Sequence, residues 1–184
     1  MSYSIEPSFL FHNELARLIL KAGTNVENKW FFTDGAFSCD SQLERTPNTW
    51  LHENFVIISN KQIIAYFEAS WTKPLNVILG FRFILFDKTK SIPATKAFFQ
   101  YLDYLFVSRG LLSFNWIVAE KNIHAYNLYE KFISRYCGHR VGKRHYGQMA
   151  YDGEISDVYL YEIDKDEYFS WKFREKKNQA FVEG

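Results

Sequence analysis

From residue 55 onward the chain alternates with the period of an extended strand. In the run 62–71, Ile63, Ala65, Phe67, Ala69 and Trp71 face one way and Ile64, Tyr66, Glu68 and Ser70 the other. A shorter apolar run, Phe55 to Ser59, precedes it across Asn60-Lys61, which predicts a tight hairpin turn. Lys73-Pro74-Leu75-Asn76 marks the next turn. Val77 to Phe86 then reads as a long strand in which Arg82 is the main polar interruption. Such continuous apolarity predicts a strand covered on both faces. Gly80 within it predicts a bulge or a close approach by another backbone.

Helical spacing takes over after Asp87-Lys88-Thr89-Lys90-Ser91. Pro93 suits a first helical turn, Phe98, Leu102, Leu105 and Phe106 form the buried stripe, and Gly110 ends it. Leu111 to Ala119 is the next strand, and Asn122 to about Ser134 a second amphipathic helix carrying Ala125, Leu128, Tyr129 and Phe132. Strands at His139–Gln148 and Ile155–Ile163 flank an Asp152-Gly153 turn. Nearer the start, Leu15, Leu18 and Ile19 give a short helical stripe from His12 to Lys21, stopped by Gly23. The stretch 25–52 mixes Trp30, Phe31, Phe32, Phe37 and Trp50 with turn formers, and reads as a substrate-side flap with weak helices. After Asp164 the charged tail is a terminal helix or a partly disordered segment. The strand–helix–strand unit from 77 to 119 predicts a right-handed parallel crossover in a mixed sheet with helices on both faces, an α/β arrangement.

Composition narrows the class. The length of 184 residues suits one domain, with a divergent segment 1–54, a core 55–164 and a tail 165–184. Aromatic residues make up 19% of the chain, enough to fill a core, line a groove or favour a homodimer. A net charge of +1 gives no field to collect nucleic acid or an acidic membrane. Cys39 and Cys137 form neither a disulfide framework nor metal-ligand spacing, and the five histidines include no i, i+4 pair. The start lacks a basic, apolar leader, and no run approaches the ~20 apolar residues of a membrane span. A cytoplasmic protein is expected, with no metal. Nucleophile-elbow, Walker and dinucleotide fingerprints do not occur.

The sharpest local pattern is Asn122-Ile-His-Ala125-Tyr-Asn-Leu128-Tyr129-Glu130-Lys131-Phe132. It resembles the N-x-x-A-x-x-L-Y-E-K segment of the second conserved helix of the GCN5-related N-acetyltransferase (GNAT) family. The runs 138–144 and 157–163 look like that family's closing strands. The resemblance covers about Phe55 to Asp164 and is closest to the branch acting on ribosomal-protein N-termini and polyamines. It implies a mixed sheet of six to seven strands, splayed at the cofactor site. It also implies acetyl-CoA as co-substrate and transfer of acetyl to an amine, either of a small molecule or of a protein N-terminus.

Candidate residues follow. Asn122 can cap its helix with its side-chain amide. Tyr129 packs inward on that helix, and the resemblance implies that it protonates the departing CoA thiolate, a transfer between groups of similar basicity. Glu68 and Asp87 are the candidate bases; each also reads as an ordinary strand or turn carboxylate. Backbone N–H groups near Leu85 and Phe86 would meet the oxyanion. The family's phosphate loop falls on residues 89–94, where only Ala94 matches its pattern. Amides there, with Ser91, Thr95 and the ammonium groups of Lys88, Lys90 and Lys96, remain able to hold a diphosphate at a helix start. Asn122 and Tyr126 complete the cofactor set. The departures in this loop leave a second reading open, a GNAT-fold binding or structural protein. A polycationic acceptor would need carboxylates, for which the first part of the chain offers Asp34, Asp40, Glu44 and Glu53. The basic group Arg135, His139, Arg140, Lys143, Arg144 and His145 reads as a 3′-phosphate site, an acidic-partner or RNA site, or a solvated face.

Overall fold

The computed structural model describes residues 2–24, 29–30, 52–72, 76–150 and 152–182, the stretch 176–182 by its backbone alone. Most of the expected flap and the turn before Asn76 lie outside these residues. In chain order the elements are β1 (Tyr3–Pro7), α1 (His12–Gly23), β2 (His52–Ser59), β3 (Gln62–Thr72) and β4 (Val77–Leu85). They continue with α2 (Ser91–Asp103), β5 (Ser113–Ala119), α3 (Ile123–Arg135), β6 (His139–Met149), β7 (Ile155–Asp164) and α4 (Lys165–Val182). The strands form one seven-stranded sheet in the order β1-β2-β3-β4-β5-β7-β6. Every neighbouring pair is antiparallel except β4 and β5, the parallel pair that α2 connects. This is the mixed α/β sheet that the resemblance implies, with seven strands. No described helix is long and apolar enough to cross a membrane.

Local chemistry explains most of the elements. Asn60 and Lys61 both take positive φ (51° and 63°), the conformation of a two-residue hairpin turn between β2 and β3. Pro93, the third residue of α2, is buried in its first turn, where a missing N–H costs nothing. Beyond Asp103 the helix widens into a π-helical turn, Tyr104–Ser108, and stops at Gly110 with φ 64°. The charged tail is helical from Lys165, with Asp164 accepting the Glu167 N–H at 2.8 Å.

Two layers pack on the sheet. On one face Leu15 and Ile19 of α1 meet Val56, Ile63, Tyr66 and Ile84. On the other, α2, α3 and α4 cover a larger core. The aromatic residues concentrate there: Phe67 lies 4.4 Å from Tyr101, Phe114 4.8 Å from Phe81, and Phe106 4.5 Å from Tyr168, all ring to ring. Burying one such ring contributes about 1.5–3 kcal/mol.

The structure departs from the sequence reading in several places. β1 was not foreseen; it adds to the sheet edge through pairing with β2, from Tyr3–Ser59 to Pro7–Phe55. β2 starts at His52, β5 at Ser113, and Phe86 lies in a bend beyond β4. The expected alternation breaks at Ile63 and Ile64. The β2–β3 register steps from Ile57–Ala65 to Ile58–Ile63, leaving Ile64 as an extra residue. That bulge turns Ile63 to the α1 side and Ile64 to the α2 side. Nor is β4 covered throughout: Leu79 is 61% exposed.

Candidate active site

β4 and β5 are in register at only two positions, Val77–Ser113 and Ile78–Phe114, and then part. Local causes are visible on both strands. On β4 the register with β3 steps from Ser70–Gly80 to Trp71–Ile78, so Leu79 is an extra, bulged residue. The bulge foreseen at Gly80 is therefore present, one residue away. On β5, Asn115 Nδ2 donates to the Ile78 carbonyl at 3.2 Å and to Ser113 Oγ at 2.7 Å. A side chain thus occupies the acceptor that a further ladder rung would have taken.

Beyond this vertex the edge of β4 is open. The Phe86 amide donates to Ile64 O at 2.9 Å, so its N–H faces β3. By the alternation of an antiparallel ladder, the amides of Phe81, Phe83 and Leu85 face the gap. The Leu85 amide thus faces the gap, whereas the Phe86 N–H is taken by Ile64 and cannot meet an oxyanion.

The gap is part of a cleft of about 510 Å³. Glu68 and Ser70 of β3 and Arg82 of β4 form its floor, with Leu79 and Ile117 on the walls. Asn122 and Tyr129 border it on the α3 side, and Trp30, Tyr146, Gln148 and Met149 on the side of the β6–β7 hairpin. Glu68, Tyr129 and Asn122 are thus brought together from separate elements.

Tyr129 packs against Trp116 (5.5 Å) and Tyr161 (5.9 Å). Burial pushes its hydroxyl up to about 12. Among the described residues that hydroxyl has no hydrogen-bond partner. Asn122 is buried, and its Oδ1 accepts the Ala125 N–H at 3.2 Å, the expected cap. Glu68 stands directly across from Arg82 on β4, with Oε1 3.3 Å from Nη1. Its Oε2 accepts the Tyr66 hydroxyl at 2.8 Å, and burial together with that carboxylate holds the Tyr66 proton more tightly than usual.

Other expected residues lie elsewhere. Asp87 does not line the cleft. Its carboxylate accepts the Thr89 hydroxyl (2.6 Å) and N–H (2.9 Å), which hold it below its ordinary pKa and fix a 3-10 turn at Lys88–Lys90. The Lys90 N–H goes to Asp87 O at 3.0 Å. With Pro93 offering none, Ser91 and Ile92 carry the remaining amides at the start of α2. Lys88 and Thr95 are exposed, Lys90 is half-buried beside them, and the Ala94 side chain is buried in the core. Tyr126 faces β6 and β7, with its ring 5.0 Å from Tyr159 and its hydroxyl 3.5 Å from Arg140. Glu53 is also away from the cleft. It is 3% exposed and accepts the Tyr101 hydroxyl (2.8 Å) and Arg109 Nη1 (2.5 Å).

Sequence reasoning did not single out the residues on the hairpin side. Three residues of β6, 145–147, oppose Asp157 of β7 in a wide bulge. There Tyr146 adopts φ 51° and is 82% exposed at the cleft mouth. Asp157 pins the bulge: its carboxylate accepts the Tyr146 N–H (3.1 Å) and lies 3.1 Å from Lys143 Nζ and 2.9 Å from His145 Nδ1. Those contacts, the Tyr146 amide first, draw its pKa down to about 2. Gly147 makes room, because a Cβ there would sit 2.3 Å from Val158 Cγ2. That glycine was the one available signal. Trp30 closes the same side; its carbonyl accepts Gln148 Nε2 at 2.8 Å, while Lys29 pairs with Asp152 at 3.0 Å and with Glu154.

The basic group on β6 is laced with carboxylates: Arg140 with Glu130 (3.4 Å), Lys143 with Glu120 (3.0 Å), and His139 with Glu167 (3.2 Å). His139, Asp164 and Glu167 also lie within metal-sharing distance, but Asp164 is already capping α4.

No family model and no curated protein matches the chain by sequence. Solved structures match it by fold. A chimera of spermidine N-acetyltransferase SpeG from Vibrio cholerae and hSSAT superposes with a TM-score of 0.72 at 18% identity, over 92% of this chain and 99% of that one. A SpeG point mutant from Vibrio cholerae gives 0.69 at 18% identity over 91% and 96%. A candidate acetyltransferase of T. thermophilus gives 0.71 at 17% identity over 97% and 94%. At these identities the likeness is one of fold.

Proposed function

We propose that this chain is an N-acetyltransferase of a single catalytic domain that moves acetyl from acetyl-CoA to a primary amine by direct attack, and that it works in the cytoplasm. One observation carries the reading: β4 and β5 are in register at two positions only and leave an open strand edge beside a cleft holding Glu68 and Tyr129. The pantetheine arm pairs with the free edge at Phe81, Phe83 and Leu85 as an added strand does. The diphosphate rests at the start of α2, on the Ser91 and Ile92 amides with Lys88 and Lys90 nearby. The amine nitrogen attacks the thioester carbon, forming the C–N bond as the C–S bond breaks. Glu68, directly or through a water, takes the proton the amine loses, and Tyr129 gives its proton to the leaving sulfur. The fold neighbours named as acetyltransferases support the same reading.

The turn before α2 favours a second reading. The Thr89 and Lys90 amides are bonded to Asp87 and Pro93 has none, so a GNAT-fold protein that binds a partner without catalysis also fits this loop. Calorimetric titration with acetyl-CoA, followed by an assay for amine-dependent thiol release, separates the two. The enzyme reading expects binding in the micromolar to millimolar range and release of one thiol per acetylated amine. No heat and no thermal shift at millimolar acetyl-CoA would leave the second reading standing.

A further inference from the structure

Among the described residues, the cleft lining carries two charged groups, Glu68 and Arg82. They are cross-strand partners 3.3 Å apart, and their charges cancel. The other described lining residues are uncharged, and Leu79, Ile117, Met149 and Tyr146 make its walls and mouth largely apolar and aromatic. A linear polyamine carries several ammonium groups spaced by methylenes, and each needs a carboxylate or water when it enters a cleft. The described lining offers one carboxylate, and it is already shared with a guanidinium. Glu53, a further acidic residue in the first part of the chain, is buried against Tyr101 and Arg109 instead.

We infer that the acceptor is an α-amino acid with an apolar or aromatic side chain. Its amine is received by Glu68 and its carboxylate by Arg82, and its side chain lies toward Tyr146 and Met149. This rests on the acetyltransferase reading above. Covalent bond lengths hold the nitrogen and the nearest carboxylate oxygen of an α-amino acid within roughly 3 Å of each other. The Glu68 and Arg82 charges are offered at a similar spacing and with opposite order. Both side chains are about one-third exposed (33% and 30%), so a zwitterion can lie alongside the pair, ammonium against Glu68 and carboxylate against Arg82. Arg82 presents a planar fork suited to a carboxylate. Tyr66, bonded to the far oxygen of Glu68, keeps that carboxylate oriented.

The test compares acceptors on the unaltered chain, with acetyl-CoA binding measured on the same sample by calorimetry. Phenylalanine, phenylalaninamide, phenethylamine and spermidine are assayed at equal concentrations of free amine. Phenylalanine should exceed each of the others in kcat/KM by about tenfold to a hundredfold, the scale of one charged hydrogen-bonded contact. Arg82→Gln should raise the KM for phenylalanine at least tenfold and compress that preference, and Arg82→Lys should restore part of it. Equal turnover of phenylalanine and its amide, or spermidine as the best acceptor, overturns the inference while leaving acetyl transfer intact. Failure to bind acetyl-CoA at all removes the acetyltransferase reading and this inference with it.

Discussion

The side-chain amide of Asn115 reaches the carbonyl oxygen of Ile78 across 3.2 Å, at the last rung where β4 and β5 still pair. A residue of one strand thereby fills the acceptor of its neighbour where the two begin to diverge. Together with the bulged Leu79, it fixes where the gap opens. Asn115→Ala should cost about 0.5–1.5 kcal/mol of stability, the net worth of one hydrogen bond. That is roughly 2–4 °C of melting temperature per kcal/mol for a chain of this size. Acetyl-CoA affinity should fall by a larger factor than that loss alone implies, because the edge proposed for the pantetheine is no longer held. Differential scanning calorimetry and an acetyl-CoA titration of the same variant check this; unchanged affinity would mean that the bulge alone sets the vertex.

Tyr129 gives a kinetic prediction. Its hydroxyl is pushed up to about 12 by burial, so it stays protonated through the neutral and moderately alkaline range. Tyr129→Phe keeps the ring against Trp116 and Tyr161 but removes the proton. The maximal rate should drop about 100- to 10,000-fold with little change in acetyl-CoA affinity. In the unaltered protein no alkaline loss of rate from this group is expected below about pH 11. A full-rate Phe variant would move the proton-donor role to another group.

Gly147 is needed for space. An added Cβ would fall 2.3 Å from Cγ2 of the fully buried Val158 and 3.1 Å from Arg144 Nε. Gly147→Ala should destabilise by about 1–3 kcal/mol, the usual cost of overpacking. Adding Val158→Ala should relieve the clash, so the double variant loses less than the sum of the two single losses. Denaturant unfolding of the three variants gives the coupling; simple additivity would place Gly147 in open space.

The Asp157 contact with the Tyr146 amide has a pH dependence of definite sign. The carboxyl is drawn down to about 2 in the folded chain, against about 3.9 unfolded. A depressed value means that the contact stabilises the folded form fully above the unfolded pKa. Its contribution declines below pH 4 and is gone once pH falls through about 2. The Tyr146 amide resonance, followed by NMR during acid titration, should therefore move with a midpoint near 2, and Asp157→Asn should abolish the transition. A midpoint near 4 would show an unbound carboxylate and a loose bulge.

Much of the scaffold is legible along the chain. The alternating run after Gln62, the Asn60-Lys61 turn, the helix led by Asn122 and the parallel return at Ser113 depend on neighbours a few residues apart, where backbone preference and side-chain period act directly. The α3 motif also reaches the cleft, because Asn122 and Tyr129 are carried there by one rigid helix. Arg82 reads in sequence as a mere interruption, and it becomes informative only when β3 lays Glu68 beside it. Asp87 reads as a possible base, yet its carboxylate is taken by Thr89 two residues on. Glu53 reads as an acceptor-side carboxylate, but strand pairing carries it beneath the sheet to Tyr101 and Arg109, residues 48 and 56 positions away.

Sequence alone therefore determined the strands, helices and turns from β2 onward, since those follow from short-range sterics, hydrogen bonding and burial period. Tertiary structure decided where the sheet opens and which charges meet. Bulges at Ile64, Leu79 and Tyr146 depend on how one strand registers against another, and a one-residue slip turns a side chain to the opposite face. The free energies that select such a register are sums over contacts between distant segments, and no local pattern carries them.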